Sequence, residues 1–555
     1  MMPSEVYDKQ IAYFTMEIAL DNRMNTYSGG LGVLAGDTMR SFADLQIPTV
    51  GVTQINSEGY CDQKIDEGGK QIDSAESWNP SEFLEPLSSE ISLKIGGEEV
   101  KVGGWKKTVE GENGYEIPMI FLDTNIEENS EKFKKITKRL YGGDQEYRLM
   151  QEVVLGIGGV RFLNELNYEV DIYHINESHS SLLALELLKN SDMDLEYVRD
   201  RCVFTTHTPE GSGHDKFSYD LVERVLGDYI SIETLKEISR EDNLHMTELA
   251  LNLSGYINAV SKRHGEVSES MFPGYEIDAI TNGVHIPRWV SDSFRAVYDE
   301  YLPGWRKDPF KLKHAIRIPD DEIWEAHLKE KDRLIDYVND NAEVEMNDRV
   351  FTIGFARRAA PYKRADLIFH NPDRLVQIAK EVGDFQVLFA GKAHPQADMS
   401  KKIIKSVYNK TKDLKEDIKM AYLENYDLRL GALLTFGVDL WLNNPERGRE
   451  ACGTSGMKAA CNGIPQLGTL DGWWIEGHIK DVTGWKIGLE PEEKADNADE
   501  VDSNDLYEKL EEKVIPRFYT NKKGWIKTMK SCISFNASYF NTHRMVREYF
   551  LNAYM

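Results

Sequence analysis

Short apolar runs rich in β-branched and aromatic residues recur along the chain, and stretches with helical periodicity separate them. In the first half, the runs that predict strands are Ile47–Thr53, Pro118–Leu122, Val170–Ile175, Cys202–Thr206 and Ile277–Ile280. In the second half, they are Val350–Phe355, Phe385–Ala390, Met420–Leu423, Val438–Leu442 and Gln466–Leu470. This alternation predicts an α/β fold with parallel sheets. Most runs are followed by Gly, His, Asn or Asp, at the carboxyl ends where such sheets bind ligands.

Three segments depart from this pattern. Ile91–Gly111 alternates around glycines, which predicts antiparallel hairpins inserted in the first domain. The acidic stretch Glu490–Asp505 predicts a solvated surface loop. Residues 289–348 form a charged, helical region, in which one helix face carries Ile323, His327, Leu334 and Tyr337.

The length of the chain predicts more than one domain. Single hydrophobic cores stop growing at roughly 250–300 residues, and this chain has 555. We place a boundary near residue 290, which gives an N-terminal domain, 1–290, and a C-terminal domain, 291–555. The final run RMVREYFLNAYM predicts a helix that packs back on the N-terminal domain.

Charge and composition narrow the function classes. The net charge of −27 disfavours nucleic acid and anionic membranes as partners, so any anion site must be a local basic pocket. The mean hydropathy is −0.48, and no apolar run approaches the ~20 residues of a membrane helix. The five cysteines form no CxxC pair and the N-terminus lacks a signal-peptide pattern. We therefore expect a cytoplasmic protein without disulfides or a zinc site.

Two clusters suggest anion binding. Thr26–Asp37 (TYSGGLGVLAGD) places glycines before a helix-compatible run, which exposes backbone N–H groups, although a tight structural turn explains the glycines equally well. The second cluster follows the strand at Val350–Phe355 and contains Arg357, Arg358, Lys363 and Arg364. Guanidinium groups bind phosphate oxygens bidentately, so this cluster predicts a phosphate site rather than a solvated basic loop.

A third cluster, Asn443–Gly477, surrounds one lysine with small residues. Lys458 has Met457 and Ala459 as neighbours, and desolvation there would lower the pKa of its amine and suit it to Schiff-base chemistry. An ordinary surface lysine is the alternative. Three histidine segments also follow predicted strands, but they contain no HExxH or similar motif, so no metal site is expected.

Together these segments resemble the α-glucan (glycogen, starch, maltodextrin) phosphorylase family in its short prokaryotic form. The segments that carry the resemblance include YFTMEIAL, YSGGLGVLAGD, YHINESH, THTPEGSGHD, ITNGVHIPRW, RRAAPYKRADL, YLENYDLRLG, EACGTSGMKAACNG and GTLDGWWIEG. The resemblance implies a GT-B fold, with two Rossmann-like doubly wound domains facing a central cleft, and a homodimer. It also implies retaining phosphorolysis of α-1,4-glucans by inorganic phosphate, which gives glucose 1-phosphate. Because the animal regulatory extension is missing, phosphorylation-controlled allostery is not expected.

The resemblance assigns pyridoxal 5′-phosphate as the cofactor, carried by Lys458, with its phosphate acting as a proton relay beside the substrate phosphate. The other residues implied at the cofactor are Gly29, Gly30, Trp289, Tyr426, Thr454 and Ser455. The catalytic residues implied besides Lys458 are Arg358, Lys363 and His179. The glucosyl unit is expected to contact His179, Asn282, Glu450, Cys452 and Gly453.

Three positions depart from the animal enzymes of that family. Cys452 replaces a serine, Asp427 a basic residue and Ala360 a histidine, so the phosphate contacts must differ in detail, with Arg357 as a possible substitute. Two other functions stay open. One is a nucleotide-sugar-dependent GT-B glycosyltransferase such as a glycogen synthase, and the other is a glucan-binding protein without activity.

Overall fold

The computed structural model describes residues 8–239, 242–493 and 495–555, with the side chain of Ser212 left aside. The chain divides into two compact units. The first contains the described residues up to Tyr60, then Ala75–Thr281 and Met545–Met555. The second contains Cys61–Ser74 and Asn282–Arg544. Strands β1–β20 and helices α1–α21 are numbered along the chain.

The first unit is built on one large sheet, with two short strands beside it. Its strands are β1 (Ile11–Thr15), β2 (Thr49–Gln54), β5 (Glu85–Pro86), β6 (Ile91–Ile95), β7 (Glu98–Glu110), β8 (Glu116–Asp123), β9 (Ile172–Asn176), β10 (Cys202–Thr205), β11 (Lys216–Phe217), β12 (Leu244–His245), β13 (Tyr256–Ala259) and β14 (Asp278–Ala279). Its helices are α1 (Gly30–Asp44), α2 (Gln145–Val153), α3 (Gly159–Glu165), α4 (Leu182–Asn190), α5 (Leu195–Arg199), α6 (Tyr219–Leu226), α7 (Ile232–Ser239), α8 (Met246–Leu253) and α9 (Lys262–Met271).

The parallel part of this sheet has the order β8-β2-β1-β9-β10-β13-β14. Numbered along the chain, this is 3-2-1-4-5-6 with one added strand, which is the Rossmann order. Strand β7 pairs with β8 and β6 in antiparallel fashion, so the hairpins predicted at Ile91–Gly111 are confirmed.

Alternate residues of β1 face two separate apolar cores. Ala12 and Phe14 belong to one core, and Ile11 and Tyr13 belong to the other, as the two-residue period of a strand requires. The second core includes residues of the C-terminal segment, among them Val546, which lies in α21 (Thr542–Tyr549). The C-terminal run is therefore helical and covers one face of the first sheet.

The second unit contains a six-stranded, fully parallel sheet. Its strands, together with the separate hairpin β3–β4, are β3 (Asp62–Ile65), β4 (Gln71–Ser74), β15 (Phe351–Ala356), β16 (Phe385–Ala390), β17 (Lys419–Leu423), β18 (Leu440–Asn443), β19 (Gln466–Thr469) and β20 (Gly484–Ile487). Its helices are α10 (Ile286–Trp289), α11 (Asp292–Tyr301), α12 (Asp320–Asn341), α13 (Pro372–Glu381), α14 (Asp398–Asp413), α15 (Leu428–Gly437), α16 (Ser455–Ala460), α17 (Trp474–Gly477), α18 (Ala498–Lys509), α19 (Ile515–Thr520) and α20 (Lys522–Ser531).

The sheet order β17-β16-β15-β18-β19-β20 is again 3-2-1-4-5-6. Helix α12 buries Ile323, His327 and Leu334, as its predicted face requires, and His327 Nε2 lies 2.8 Å from Asp439 Oδ1. Both units are thus α/β with Rossmann-order parallel sheets, which confirms the prediction of two Rossmann-like α/β domains. In the part of the chain that the structure describes, no helix is long and apolar enough to cross a membrane.

Candidate active site

Each sheet has one switch point, where strand order reverses and a ligand site is expected outside the carboxyl ends. In the second unit, this point lies between β15 and β18. Strand β15 ends at Ala356 and is followed by the basic cluster, while β18 ends at Asn443 and leads to Glu450. The topology therefore explains why two segments distant in sequence form one site.

Glu450 is the centre of this site. Its carboxylate accepts hydrogen bonds from Lys363 Nζ at 2.7 and 2.8 Å and from Arg357 Nη2 at 2.5 Å. Arg357 also donates to Asn443 Oδ1. Burial alone would raise the pKa of Glu450, but the charges of Arg357 and Lys363 lower it to about 2. The site thus holds one carboxylate between two buried cations.

The basic cluster does not act as one group. Arg364 donates to the carbonyl oxygens of Asn444 and Pro445 and pairs with Asp499 and Asp502. It has a φ of +51°, so the turn that carries Lys363 ends in a left-handed residue. Arg364 therefore joins the basic loop to the loop after β18, and its predicted role in phosphate binding gives way to this structural one.

The acidic stretch at 490–505 was predicted to be a solvated loop, and this was wrong for residues 498–505. Its second half belongs to α18, and Asp502 is only 1% exposed. Asp502 pairs with both Arg364 and Arg447. The prediction failed because a local acidic run gives no sign of the distant arginines that neutralise it.

Lys458 lies in the last turn of the short helix α16 and is 9% exposed. Its Nζ sits 4.1 Å from the centre of the Trp289 ring, and Trp289 is itself 3% exposed. Just before Lys458, Gly456 packs so closely that an added Cβ would lie 1.8 Å from Gln466 Oε1. Lys458 is therefore a buried amine against an aromatic face, not an ordinary surface lysine.

The segment before Lys458 is held on several sides. The Trp441 indole N–H donates to Ser455 Oγ at 3.1 Å, and the Thr454 carbonyl accepts the N–H of Lys458 at 3.2 Å. Gly453 has a φ of +86°, and a Cβ there would lie 3.3 Å from the Glu450 side chain. Gly453, Thr454 and Ser455 thus form a fixed backbone path between Glu450 and Lys458.

Tyr426 and Asp427 stand side by side at the start of α15. Burial raises the pKa of Tyr426 to about 12, and the charge of Arg357 partly opposes this rise. Asp427 caps α15, because its Oδ1 accepts the N–H of Leu430 at 2.7 Å. The departure at Asp427 therefore has a structural role of its own.

Asn282 and Cys452 also belong to the second unit. The side chain of Asn282 is buried, and among the described residues its Oδ1 has no hydrogen-bond partner. Its carbonyl oxygen accepts a hydrogen bond from Arg544 Nη2 at 3.1 Å. The carbonyl of Cys452 accepts the N–H of Trp473 at 3.0 Å, which fixes the backbone next to Gly453.

Sequence reasoning missed Asp471, which follows β19. Its Oδ2 accepts the N–H groups of Arg449 and Glu450 at 3.1 and 2.8 Å, and so orients the segment that carries Glu450. Burial, and then the charge of Glu450, raise the pKa of Asp471 to about 6. Its position directly after a predicted strand was the available signal.

In the first unit, the switch point lies between β1 and β9. Glu17, just after β1, accepts the N–H groups of Ser28 and Gly29 at 2.6 and 3.1 Å. An added Cβ on Gly30 would meet no atom within 4 Å, whereas on Gly32 it would lie 2.8 Å from Glu17 Oε2. The Glu17 carboxylate thus already accepts some of the backbone N–H groups that were predicted to bind an anion, and Gly30 borders open space.

His179 follows β9 at the same switch point. Its Nε2 lies 3.8 Å from Asp215 Oδ2, and its buried Nδ1 has no hydrogen-bond partner among the described residues. Burial, and then the charge of Arg148, lower the pKa of His179, which keeps the ring neutral at pH 7. Its ring centre is 5.5 Å from that of Tyr141, whose hydroxyl donates to Glu17 Oε1 at 3.0 Å.

The backbone beside His179 is strained. Glu177 has a φ of +68°, an uncommon value for a residue with a long side chain. Its Oε2 accepts the N–H of His207 and the hydroxyl of Thr208, each at 2.8 Å. Such backbone strain is typical of functional sites. Glu177 and its partner His207 therefore join His179 among the polar residues at this edge of the sheet.

Comparisons with known proteins agree with the fold, which is of the GT-B class. The family model for carbohydrate phosphorylases matches residues 212–512, and a model for the starch synthase catalytic domain matches residues 70–282. A maltodextrin phosphorylase of Thermococcus litoralis is 36% identical, covering 98% of this chain and 70% of its own length. A glycogen phosphorylase of Aquifex aeolicus is also 36% identical, covering 98% and 86%.

An uncharacterised protein of Methanocaldococcus jannaschii is 32% identical and covers 98% of this chain and 99% of its own length. The phosphorylase model spans more than half of the chain, and the first two relatives are aligned over nearly all of it. The chain belongs to the carbohydrate phosphorylase family.

Proposed function

We propose that this protein is an α-1,4-glucan phosphorylase, which transfers glucosyl units from glycogen or maltodextrin to inorganic phosphate with retention. The product is α-D-glucose 1-phosphate, and the reaction is reversible. The observation that carries the proposal is the convergence of Lys363 and Arg357 on Glu450 at the second switch point. In a chain of net charge −27, two buried cations at one position, Arg357 and Lys363, favour the binding of an anionic substrate.

Pyridoxal 5′-phosphate fits the residues around Lys458. A buried amine against the Trp289 ring suits covalent attachment of an aromatic aldehyde. Tyr426 is proposed as a further aromatic contact of the cofactor. When bound, the cofactor supplies a phosphate group whose second pKa of about 6 allows proton exchange near neutral pH. Thr454 and Ser455 are proposed to bind that phosphate. In the first unit the N–H of Gly29 donates to Glu17, so Gly30, rather than Gly29, is proposed to offer a backbone N–H group to an anion.

Arg358 and Lys363 are proposed to bind inorganic phosphate. Two phosphates in close contact repel strongly, so cations there lower the energy of the state in which negative charge is concentrated. Lys363 now pairs with Glu450, and an incoming phosphate would compete for the same ammonium group. Arg357 is proposed to supply the cationic contact that Asp427 does not.

The glucosyl unit needs donors and acceptors for its hydroxyls. Among the described residues, Nδ1 of the neutral His179 ring in the first unit has no hydrogen-bond partner, and neither has Oδ1 of Asn282 in the second unit. Each is suited to a bond with a sugar hydroxyl. Glu450 is proposed to accept a sugar hydroxyl, with the fixed backbone of Cys452 and Gly453 beside it. The resemblance further implies a homodimer that works in the cytoplasm, and we propose both.

A second candidate is a nucleotide-sugar-dependent glycosyltransferase, which the match to the starch synthase domain favours. The test is to incubate the purified protein with maltodextrin and to quantify glucose 1-phosphate with and without inorganic phosphate. The proposal predicts product only with phosphate, and more of it after pyridoxal phosphate is added. Chain growth from ADP- or UDP-glucose, without phosphorolysis, would support the second candidate instead.

A further inference from the structure

The β3–β4 hairpin, Cys61–Ser74, belongs to the second unit although the chain on both sides of it belongs to the first. Its two central glutamines are buried, with Gln63 at 1% and Gln71 at 2% exposure. Lys64, on β3, and Lys70, which directly precedes β4, are exposed. A surface hairpin has no need to bury two carboxamides, so their contacts require an explanation.

Both glutamines bind the segment that follows β16. Gln63 Nε2 donates to the Gly391 carbonyl at 2.8 Å and to Gln71 Oε1 at 2.8 Å. Gln71 Nε2 donates to the Ala393 carbonyl at 2.9 Å, and Gln71 Oε1 accepts the Ala393 N–H at 3.0 Å. The hairpin is therefore attached by side-chain amides whose donors and acceptors are all used.

This segment in turn supports the proposed phosphate loop. The N–H of Arg357 donates to Ala390 O at 3.1 Å, and the N–H of Ala359 donates to Lys392 O at 3.0 Å. At Gly391 a Cβ would lie only 2.0 Å from the carbonyl oxygen of Arg357, so the two backbones touch. A shift of this segment would move Arg357 and the residues after it.

The hairpin reaches the segment of Tyr426 as well. The N–H of Gln63 donates to Asn425 Oδ1 at 3.2 Å, and the N–H of Asn425 donates to Gln63 Oε1 at 3.0 Å. The N–H of Ile65 donates to Glu424 Oε1 at 2.8 Å. One short hairpin thus fixes two loops that carry proposed site residues.

We propose that Gln63 and Gln71 are positioning residues that hold the Arg357–Lys363 loop in the geometry that binds inorganic phosphate. This inference rests on the proposed phosphorolysis. It assigns a role to a hairpin whose own residues lie outside the anion site.

The test uses Gln63→Met and Gln71→Met, which keep side-chain length and remove the hydrogen bonds. Lys64→Met, on the exposed face of β3, is the matched control. We expect the loss of these buried hydrogen bonds to weaken phosphate binding and so to raise the KM for phosphate about tenfold in both variants. The KM for maltodextrin should change less than about twofold. Calorimetric titration with inorganic phosphate should show the same loss of affinity without turnover.

Asn425→Gly is a milder variant, because glycine suits the φ of +53° at this position and only the side-chain acceptor is lost. It should raise the phosphate KM about two- to fivefold, and it decides the matter if Gln63→Met does not fold. Folded variants with wild-type phosphate KM and affinity would overturn the inference. A wild-type protein without phosphorolysis would instead overturn the proposed function on which it rests.

Discussion

Lys363 and Glu450 form a buried ion pair, with Nζ 2.7 Å from Oε2 and both side chains at most 10% exposed. Arg357 shares the same carboxylate. A buried pair of this kind is costly to form, and it stabilises the fold only while the carboxylate stays charged. The dependence of the protein's stability on the charge of Glu450, and hence on pH, can therefore be predicted.

Glu450→Gln should flatten the acid limb of stability. The folded pKa is about 2, below the unfolded value of about 4.3. The stabilisation is present above the unfolded pKa and is lost as pH falls from about 4.3 towards 2. Scanning calorimetry at several pH values in this window should show a weaker decline of Tm in the variant. Identical slopes for both proteins would contradict the pairing.

Asp471→Asn should act with the opposite sign. Because the pKa of Asp471 is raised to about 6, the folded protein holds a proton that the unfolded chain has lost. Stability from this group falls as pH rises from about 3.9 to 6. The amide keeps an oxygen acceptor for the N–H groups of Arg449 and Glu450 and carries no charge.

We therefore expect the Asp471→Asn variant to be more stable than the wild type above pH 6, by about 1–3 kcal/mol. Calorimetry at pH 5 and pH 8 measures the difference. A variant that loses stability equally at both pH values would show that the carboxylate charge at Asp471 is needed.

Asp502→Asn should destabilise the second unit by about 3–5 kcal/mol, because it leaves the buried guanidinium of Arg364 with one fewer charged partner. Asp499 also pairs with Arg364 but is 63% exposed. Asp499→Asn is therefore the matched control, with an expected cost of about 0–1 kcal/mol. Denaturant titration compares the two, and equal costs would refute the structural role given to Asp502.

In the first unit, Glu152→Gln should be tolerated while Asp215→Asn is not. Both carboxylate oxygens of Glu152 are buried without a hydrogen-bond partner in the described structure, and burial raises its pKa well above the usual value. The raised pKa favours the neutral form of this side chain, and glutamine mimics that form. Asp215 instead pairs with Arg148 at 2.5 Å and faces His179.

The Asp215→Asn change leaves Arg148 without its nearest counter-charge, so we expect a loss of about 2 kcal/mol or more and weaker glucan binding through His179. Thermal unfolding and the KM for maltodextrin are the measurements. A severe loss in Glu152→Gln, with Asp215→Asn unaffected, would reverse the assigned protonation states.

Some of the strands that are buried on both faces could be predicted from the sequence. Phe385–Ala390 is such a strand, and its apolar run, which only Gln386 interrupts, marked both ends correctly. Strands β1, β13 and β20 were missed. Strand β3 was missed as well, because Gln63 and Lys64 are polar and its burial depends on partners some 360 residues away, such as Asn425.

The site shows the same limit. Motif resemblance found Glu450, Lys363 and Lys458, since each lies in a distinctive segment. It gave no sign that Arg364 serves as a structural link, or that Asp471 orients Glu450. Both roles depend on contacts between loops that follow different strands, and only the sheet order brings those loops together.

The most direct test of the central claim is to locate the cofactor. The protein is loaded with pyridoxal phosphate, reduced with borohydride to fix the cofactor to its lysine, digested, and mapped by mass spectrometry. Our account predicts one modified peptide, with the label on Lys458 in the segment that begins at Glu450. A label on another lysine, or no label in a protein that elongates glucan from a nucleotide sugar, would contradict it.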